Sequence, residues 1–187
     1  VRSRAVDDDD RWETIEVVVH HHLDHDVLRG YLVQVHNLDD GVHLPGGIDL
    51  IEQITDEATV AVCAEGSGIA RKLLSGTVEY TQQRKQFGKP IADFQMVQQM
   101  LADSAIEINA ARWMVLHAAW LLDQGESHAQ AARDAIAMVK VQASEALGRV
   151  VDRAVQIFGG MGYCKDLPVE RWYRDARIYR IFDGTSE

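Results

Sequence analysis

The sequence predicts a mainly α protein: an antiparallel four-helix bundle preceded by a short β-containing N-terminal extension. Three observations predict it. Apolar residues recur at spacings of three and four from Ile51 onward, short connections separate the periodic stretches, and residues 1–47 lack that period.

In residues 1–47, Thr14 to Val19 and Tyr31 to Val35 are rich in β-branched and aromatic residues, as short strands are. Asn37 to Gly41 supplies turn chemistry, and Pro45-Gly46-Gly47 marks the boundary with the bundle, residues 48–187. The first helix carries Ile51, Ile54, Ala58, Ala61, Gly68, Ile69, Leu73 and Val78, and Lys89-Pro90 breaks the pattern. The second runs from Phe94 through Val97, Leu101, Ile108, Val115 and Leu122 to Gly125. Ser127 and Gln130 have the spacing of a capping box for the third, which carries Ile136, Val139, Ala143, Leu147, Val150 and Ala154 and ends at Gly159-Gly160. Pro168 suits the first position of a fourth helix reaching about Ile178. A heptad coiled coil fits less well, because alanine, glycine and serine crowd the stripes.

With 47% hydrophobic residues among 187, the chain can bury a sizeable core. A formal net charge of -10 argues against nucleic acid as a partner. No apolar run is long enough for a bilayer and no basic-then-apolar leader opens the chain, so no membrane association is expected. Cys63 and Cys164 form no CxxC pair and read as buried thiols in a reducing, cytoplasmic compartment. The acidic run Asp7 to Asp10 reads as a solvated segment. His20, His21, His22 and His25 would share a face in pairs, either as a helix or as a strand. They lack a defined third ligand, so no metal site is expected.

Four local patterns then carry a resemblance. They are Tyr80-Thr-Gln-Gln-Arg84-Lys-Gln86-Phe87-Gly88; Phe94-Gln95 with Gln98 and Leu101-Ala102-Asp103; Gln156-Ile-Phe-Gly159-Gly160-Met-Gly162-Tyr163; and Tyr173-Arg174-Asp175-Ala176 running into Asp183-Gly184-Thr185-Ser186-Glu187. In this order and spacing they resemble the C-terminal helical domain of the acyl-CoA dehydrogenases over roughly Ile51 to Glu187.

The resemblance implies FAD as cofactor, an acyl-CoA thioester as substrate, and α,β-dehydrogenation with hydride transfer to the flavin. It implies an electron-transfer flavoprotein or similar acceptor, and a homo- or hetero-oligomer, in the usual case a homotetramer built as a dimer of dimers. In a eukaryote the compartment would be the mitochondrial matrix. Arg84 takes the flavin pyrophosphate, for which a planar guanidinium fork is suited, with Gln86, Phe87 and Gln95 nearby. Gln156, Gly159 and Gly160 line the adenine-ribose end of an FAD held by a neighbouring subunit. Asp183 is the candidate catalytic base, Gly184 a substrate contact, and Thr185, Ser186 and Glu187 are flavin contacts.

Two departures accompany the resemblance. The family often has glutamate where Asp183 stands, and the missing methylene shortens the reach by about 1.5 Å, a displacement of the size that costs roughly a hundredfold in rate. In some relatives the base comes instead from the first bundle helix, where Ala58 stands here; Glu57 is one residue and about 100° away, and Thr59 replaces an arginine that helps hold CoA. A complete member also has an N-terminal helical domain and a middle β-domain, of which residues 1–47 would be at most a remnant. The alternatives are therefore a non-catalytic or truncated subunit serving as an oligomerisation module, or a flavin oxidase of the same superfamily with an aspartate base.

Overall fold

The computed structural model describes residues 47–182 and 184–187, with side chains from Ile51 onward. The two expected strands, the His20–His25 cluster and Asp183 lie outside the described residues. Contacts divide the chain into two units, Val1–Leu50 and Ile51–Glu187.

Helix α1 spans Gly47–Gln83, 37 residues and so about 55 Å long. A two-stranded hairpin follows, β1 Lys85–Gln86 against β2 Lys89–Pro90, then a 3₁₀ turn at Ile91–Asp93. Helix α2 is Gln95–Asp123, and a second 3₁₀ turn, Glu126–His128, leads into α3, Ala129–Phe158. A single-turn helix α4, Gly160–Tyr163, precedes α5, Val169–Ile178. The expected helical bundle is what forms, from three long helices and a shorter fourth.

The core has two layers. In the first, Val60 and Cys63 of α1, Ala111, Val115 and Ala118 of α2, and Ala132, Val139 and Ala143 of α3 meet. The abundance of alanine lets the helix axes approach closely, which is why the stripes look small-residue rich in sequence. In the second, Ala70 and Leu73 of α1 and Ile108 of α2 pack on Leu147, Val150, Val151 and Ala154 of α3, with Val169, Ala176 and Tyr179 closing the end. Helix α3 runs through both layers. Truncating Leu147, 1% exposed, to alanine would cost about 2–5 kcal/mol through lost burial and the cavity left behind.

Four core hydroxyls are satisfied within their own helices. Thr59, Thr77 and Ser104 donate their hydroxyls to the carbonyls four residues back, and Thr81 to Val78 O, at 2.7 Å each, so core threonines leave no unpaired donor. Between helices, Glu107 of α2 accepts from Arg149 Nε at 2.9 Å and from both terminal nitrogens of Arg153, at 2.9 and 3.1 Å. Burial pushes the Glu107 carboxyl up, but the hydrogen bonds from Arg153 and Arg149 outweigh it and hold the group below its ordinary value of 4.5. Tyr179 packs where α1 has Gly66: a Cβ there would come within 3.3 Å of its ring. Burial raises the phenol pKa, with Glu65 adding to the shift, so it stays protonated.

Three local expectations are corrected. The Ser127–Gln130 capping box does not form, because a 3₁₀ turn takes up Ser127; its hydroxyl pairs with His128 Nδ1 at 2.9 Å, and Gln130 donates to Asp134. Pro168 caps α5 rather than beginning it. Cys63 is buried as expected but Cys164, just after α4, is exposed.

Candidate functional site

The break after α1 is sharper than a proline alone requires. Gln86 pairs with Lys89, leaving Phe87 and Gly88 as a two-residue loop with φ of 52° and 84°. Two successive positive φ values define a type I′ turn, whose twist matches that of the strands it joins. Glycine accepts this freely, whereas phenylalanine pays about 1–2 kcal/mol. The strained residue is also 94% exposed, its ring meeting Phe94 edge-on at 6.2 Å. A large apolar side chain held out on a strained turn is the kind of arrangement found at binding sites.

At the far end of α3, Gly159 terminates the helix with φ 61° and ψ -139°, a conformation open to glycine alone, and its N–H caps the carbonyls of Val155 and Gln156. The chain then folds back so tightly that a Cβ on Gly162 would lie 2.7 Å from Phe158 Cβ and 2.8 Å from Val155 O. Tyr80 joins the two ends. Its ring stacks on Phe158 with centroids 4.0 Å apart and planes at 17°, and its hydroxyl donates to Phe158 O at 3.4 Å.

The result is a groove of about 420 Å³ lined by Tyr80, Arg84, Gln86, Phe158, Gly159 and Gly160 among others. Its size is within the range of small-molecule sites. Arg84 offers a cation with forked donors at one wall. Also in the lining, Gly159 and Gly160 have nothing within 4 Å of where a Cβ would stand, so a ligand can lie against bare backbone.

Not every expected residue is in the groove. Gln156 is exposed on the last turn of α3, Gln95 is exposed at the start of α2, and Phe87 stands at the hairpin tip. Gly184, Thr185, Ser186 and Glu187 belong to a separate tail bound to the middle of α3. There Lys140 Nζ donates to Tyr179 O at 2.8 Å and Gly184 O at 3.0 Å, Ser144 Oγ lies 3.4 Å from Ser186 Oγ, and Arg180 Nε donates to Glu145 at 2.6 Å. The span from Ser144 to Phe158 corresponds to about 20 Å of helix, so tail and groove stand well apart along α3 within one chain. Glu187 is held below its ordinary carboxylate value, chiefly by its own backbone N–H and then by Thr185. On α1, Glu57 is half-buried and accepts from Gln53 Nε2 at 3.0 Å, while Ala58 is exposed.

Two residues that shape these sites drew no role from sequence. Tyr80 opens the first motif, but its partner Phe158 is 78 residues on. Lys140 had a visible signal: it is a charged residue on the apolar stripe between Ile136, Val139 and Ala143.

The described residues thus form a helical bundle with a groove lined by an arginine and two glycines, and a polar tail anchored on α3. Residues 46–187 match the family described as Acyl-CoA dehydrogenase, C-terminal domain, and the chain belongs to that family. It is 45% identical over 132 residues to the Bacillus subtilis protein described as "Probable acyl-CoA dehydrogenase YngJ", covering 71% of this chain and 34% of the relative. It is 41% identical, with the same coverage, to the caffeyl-CoA reductase-Etf complex subunit CarC of Acetobacterium woodii. Among solved structures, butyryl-CoA dehydrogenase from Megasphaera elsdenii superposes with a TM-score of 0.71 at 40% identity, over 77% of this chain and 37% of that one. The chain spans about a third of the length of these relatives.

Proposed function

We propose that this chain is the C-terminal part of an FAD-dependent enzyme that carries out α,β-dehydrogenation of an acyl-CoA thioester. The observation that carries the reading is the groove, in which Arg84 and Gln86 after α1 face Gly159 and Gly160 after α3. Its chemistry fits the pyrophosphate end of FAD: a forked cation for two phosphate oxygens and a glycine backbone that permits close approach. Phe87, Gln95 and Gln156, exposed at the hairpin tip and the helix ends and outside the groove lining, are proposed to contact the same cofactor.

When bound, the flavin supplies the acceptor for the β-hydrogen and its electron pair. The chain's own residues do the rest. Asp183 removes the α-proton, Gly184 contacts the thioester, and Thr185, Ser186 and Glu187 hold the flavin from the tail. Because tail and groove lie about 20 Å apart along α3, the groove serves a flavin shared with a neighbouring subunit. The exposed positions of α2 from Gln95 to Trp120 support such assembly. They carry no charged side chain, and Ile106, Trp113 and Trp120 are 67%, 62% and 53% exposed along one stripe. A homo- or hetero-oligomer, in the family's fashion a homotetramer, follows. An electron-transfer flavoprotein is the proposed acceptor, in keeping with the Acetobacterium relative's name, and the compartment is the cytoplasm or, in a eukaryote, the mitochondrial matrix. Among the described residues no helix is long and apolar enough to cross a membrane.

The test is optical. The purified protein should show oxidised-flavin absorbance that bleaches anaerobically on adding an acyl-CoA. A colourless protein that takes up no added FAD overturns the reading. Aspartate in place of the usual glutamate favours a second reading, a non-catalytic subunit or an oxidase. The first would bind FAD without bleaching; the second would bleach with a substrate other than an acyl-CoA.

A further inference from the structure

We propose that Lys140 is a positioning residue for the active-site tail, a buried cation whose task is to hold the backbone on both sides of Asp183. The inference rests on the proposed function for its catalytic consequence, but its structural basis stands apart from it.

Lys140 is 6% exposed in the middle of α3. Lysine is among the residues least often buried, because taking an ammonium out of water is costly unless its donors are satisfied. Here the ammonium reaches away from its own helix and donates to Tyr179 O at 2.8 Å and Gly184 O at 3.0 Å. Those carbonyls lie just past the end of α5 and just after Asp183, so one cation ties both ends of the segment between them. The helix could not do this with an apolar residue of the same length, since neither carbonyl has a backbone donor from α3. The Phe182 ring, 5.8 Å from the ammonium, lies on the same side. Ser186 N–H closes the loop by donating to Arg180 O at 3.2 Å, and Arg180 is itself fixed by Glu145, one turn along α3 from Lys140.

A short tail beyond the last helix has few apolar contacts with which to fix its own conformation. Ion–carbonyl bonds supply direction where packing is thin, and they are roughly twice as strong as neutral ones. Lys140 therefore sets the backbone at Tyr179 and Gly184, between which the tail begins, without touching substrate.

Lys140→Met tests this, because an apolar replacement for a buried charge usually leaves the fold intact. Two readouts are taken on the flavin-loaded protein. Amide hydrogen exchange at residues 179–187 should rise at least tenfold for Ser186 while the amides of α3 keep their protection. Turnover should fall about a hundredfold in kcat with KM changed less than threefold, the signature of misplaced rather than missing groups. Unchanged tail exchange, or a rise spread through α3, overturns the proposal, as does unaltered kcat in a protein that turns over. Should Lys140→Met fail to fold, Lys140→Arg carries the same test, since it keeps the charge but alters the reach. If the wild-type protein binds no flavin or does not bleach, the functional reading fails, and the exchange measurement still decides the role of Lys140.

Discussion

Tyr80 and Phe158 stack with ring centroids 4.0 Å apart, and this contact joins the end of α1 to the end of α3 beside the groove. Its two parts are separable. Tyr80→Phe keeps the stack and loses only a long hydrogen bond, costing about 0.5 kcal/mol. Tyr80→Ala removes the half-buried ring and should cost about 2 kcal/mol in urea unfolding, with weaker FAD binding as the groove walls part.

Arg84 is exposed at the groove and has no packing role to confuse the result. Arg84→Ala should leave the melting temperature within 2 °C or so, consistent with an exposed substitution, and weaken FAD binding about 10- to 100-fold, the worth of charged hydrogen bonds. Arg84→Lys should recover only part of this, because an ammonium is a point charge and cannot fork. Equilibrium titration with FAD reads both.

Asp183→Asn should retain bound flavin and lose bleaching by acyl-CoA, since the amide keeps the shape and cannot accept the proton. Asp183→Glu restores the missing methylene. Stopped-flow bleaching rates for the three proteins check the assignment, and unchanged rates in the asparagine variant would reject it.

Glu107 makes stability depend on acid. Its folded-state pKa lies below 4.5, so its contribution is fully present above the unfolded value and is lost as pH falls through the folded one. Glu107→Gln should cost about 2 kcal/mol at pH 7, and the difference from wild type should begin to shrink as the pH falls below the ordinary carboxylate value and go on shrinking down to the lowered folded-state value. Urea midpoints across about pH 3–7, which spans the ordinary carboxylate range, measure it.

Gly162→Ala should destabilise by about 1–3 kcal/mol, since its Cβ would sit 2.7 Å from Phe158 Cβ and 2.8 Å from a carbonyl oxygen that belongs to the helix backbone. Thermal unfolding detects the loss. The same strain pushes on Phe158, so FAD affinity should fall with it, whereas Gly160→Ala, with open space at its Cβ, should spare the fold.

By itself the sequence determined the helices and the groove's ingredients. The three-and-four spacing from Ile51 onward is a one-dimensional imprint of which helix face meets the core, and Gly159-Gly160 ends α3 for reasons local to the backbone, whereas α1 stops at Gln83, ahead of the expected break at Lys89-Pro90. Arg84 and the two glycines were legible as ligand-binding residue types within their motifs. What only the tertiary structure decided are relations between residues distant in sequence. The Tyr80–Phe158 stack and the reach of Lys140 to Tyr179 and Gly184 each depend on how the helices lie together. Periodicity says which face is buried but not what it is buried against. A cation on an apolar stripe gains its meaning only once the fold brings carbonyls to it.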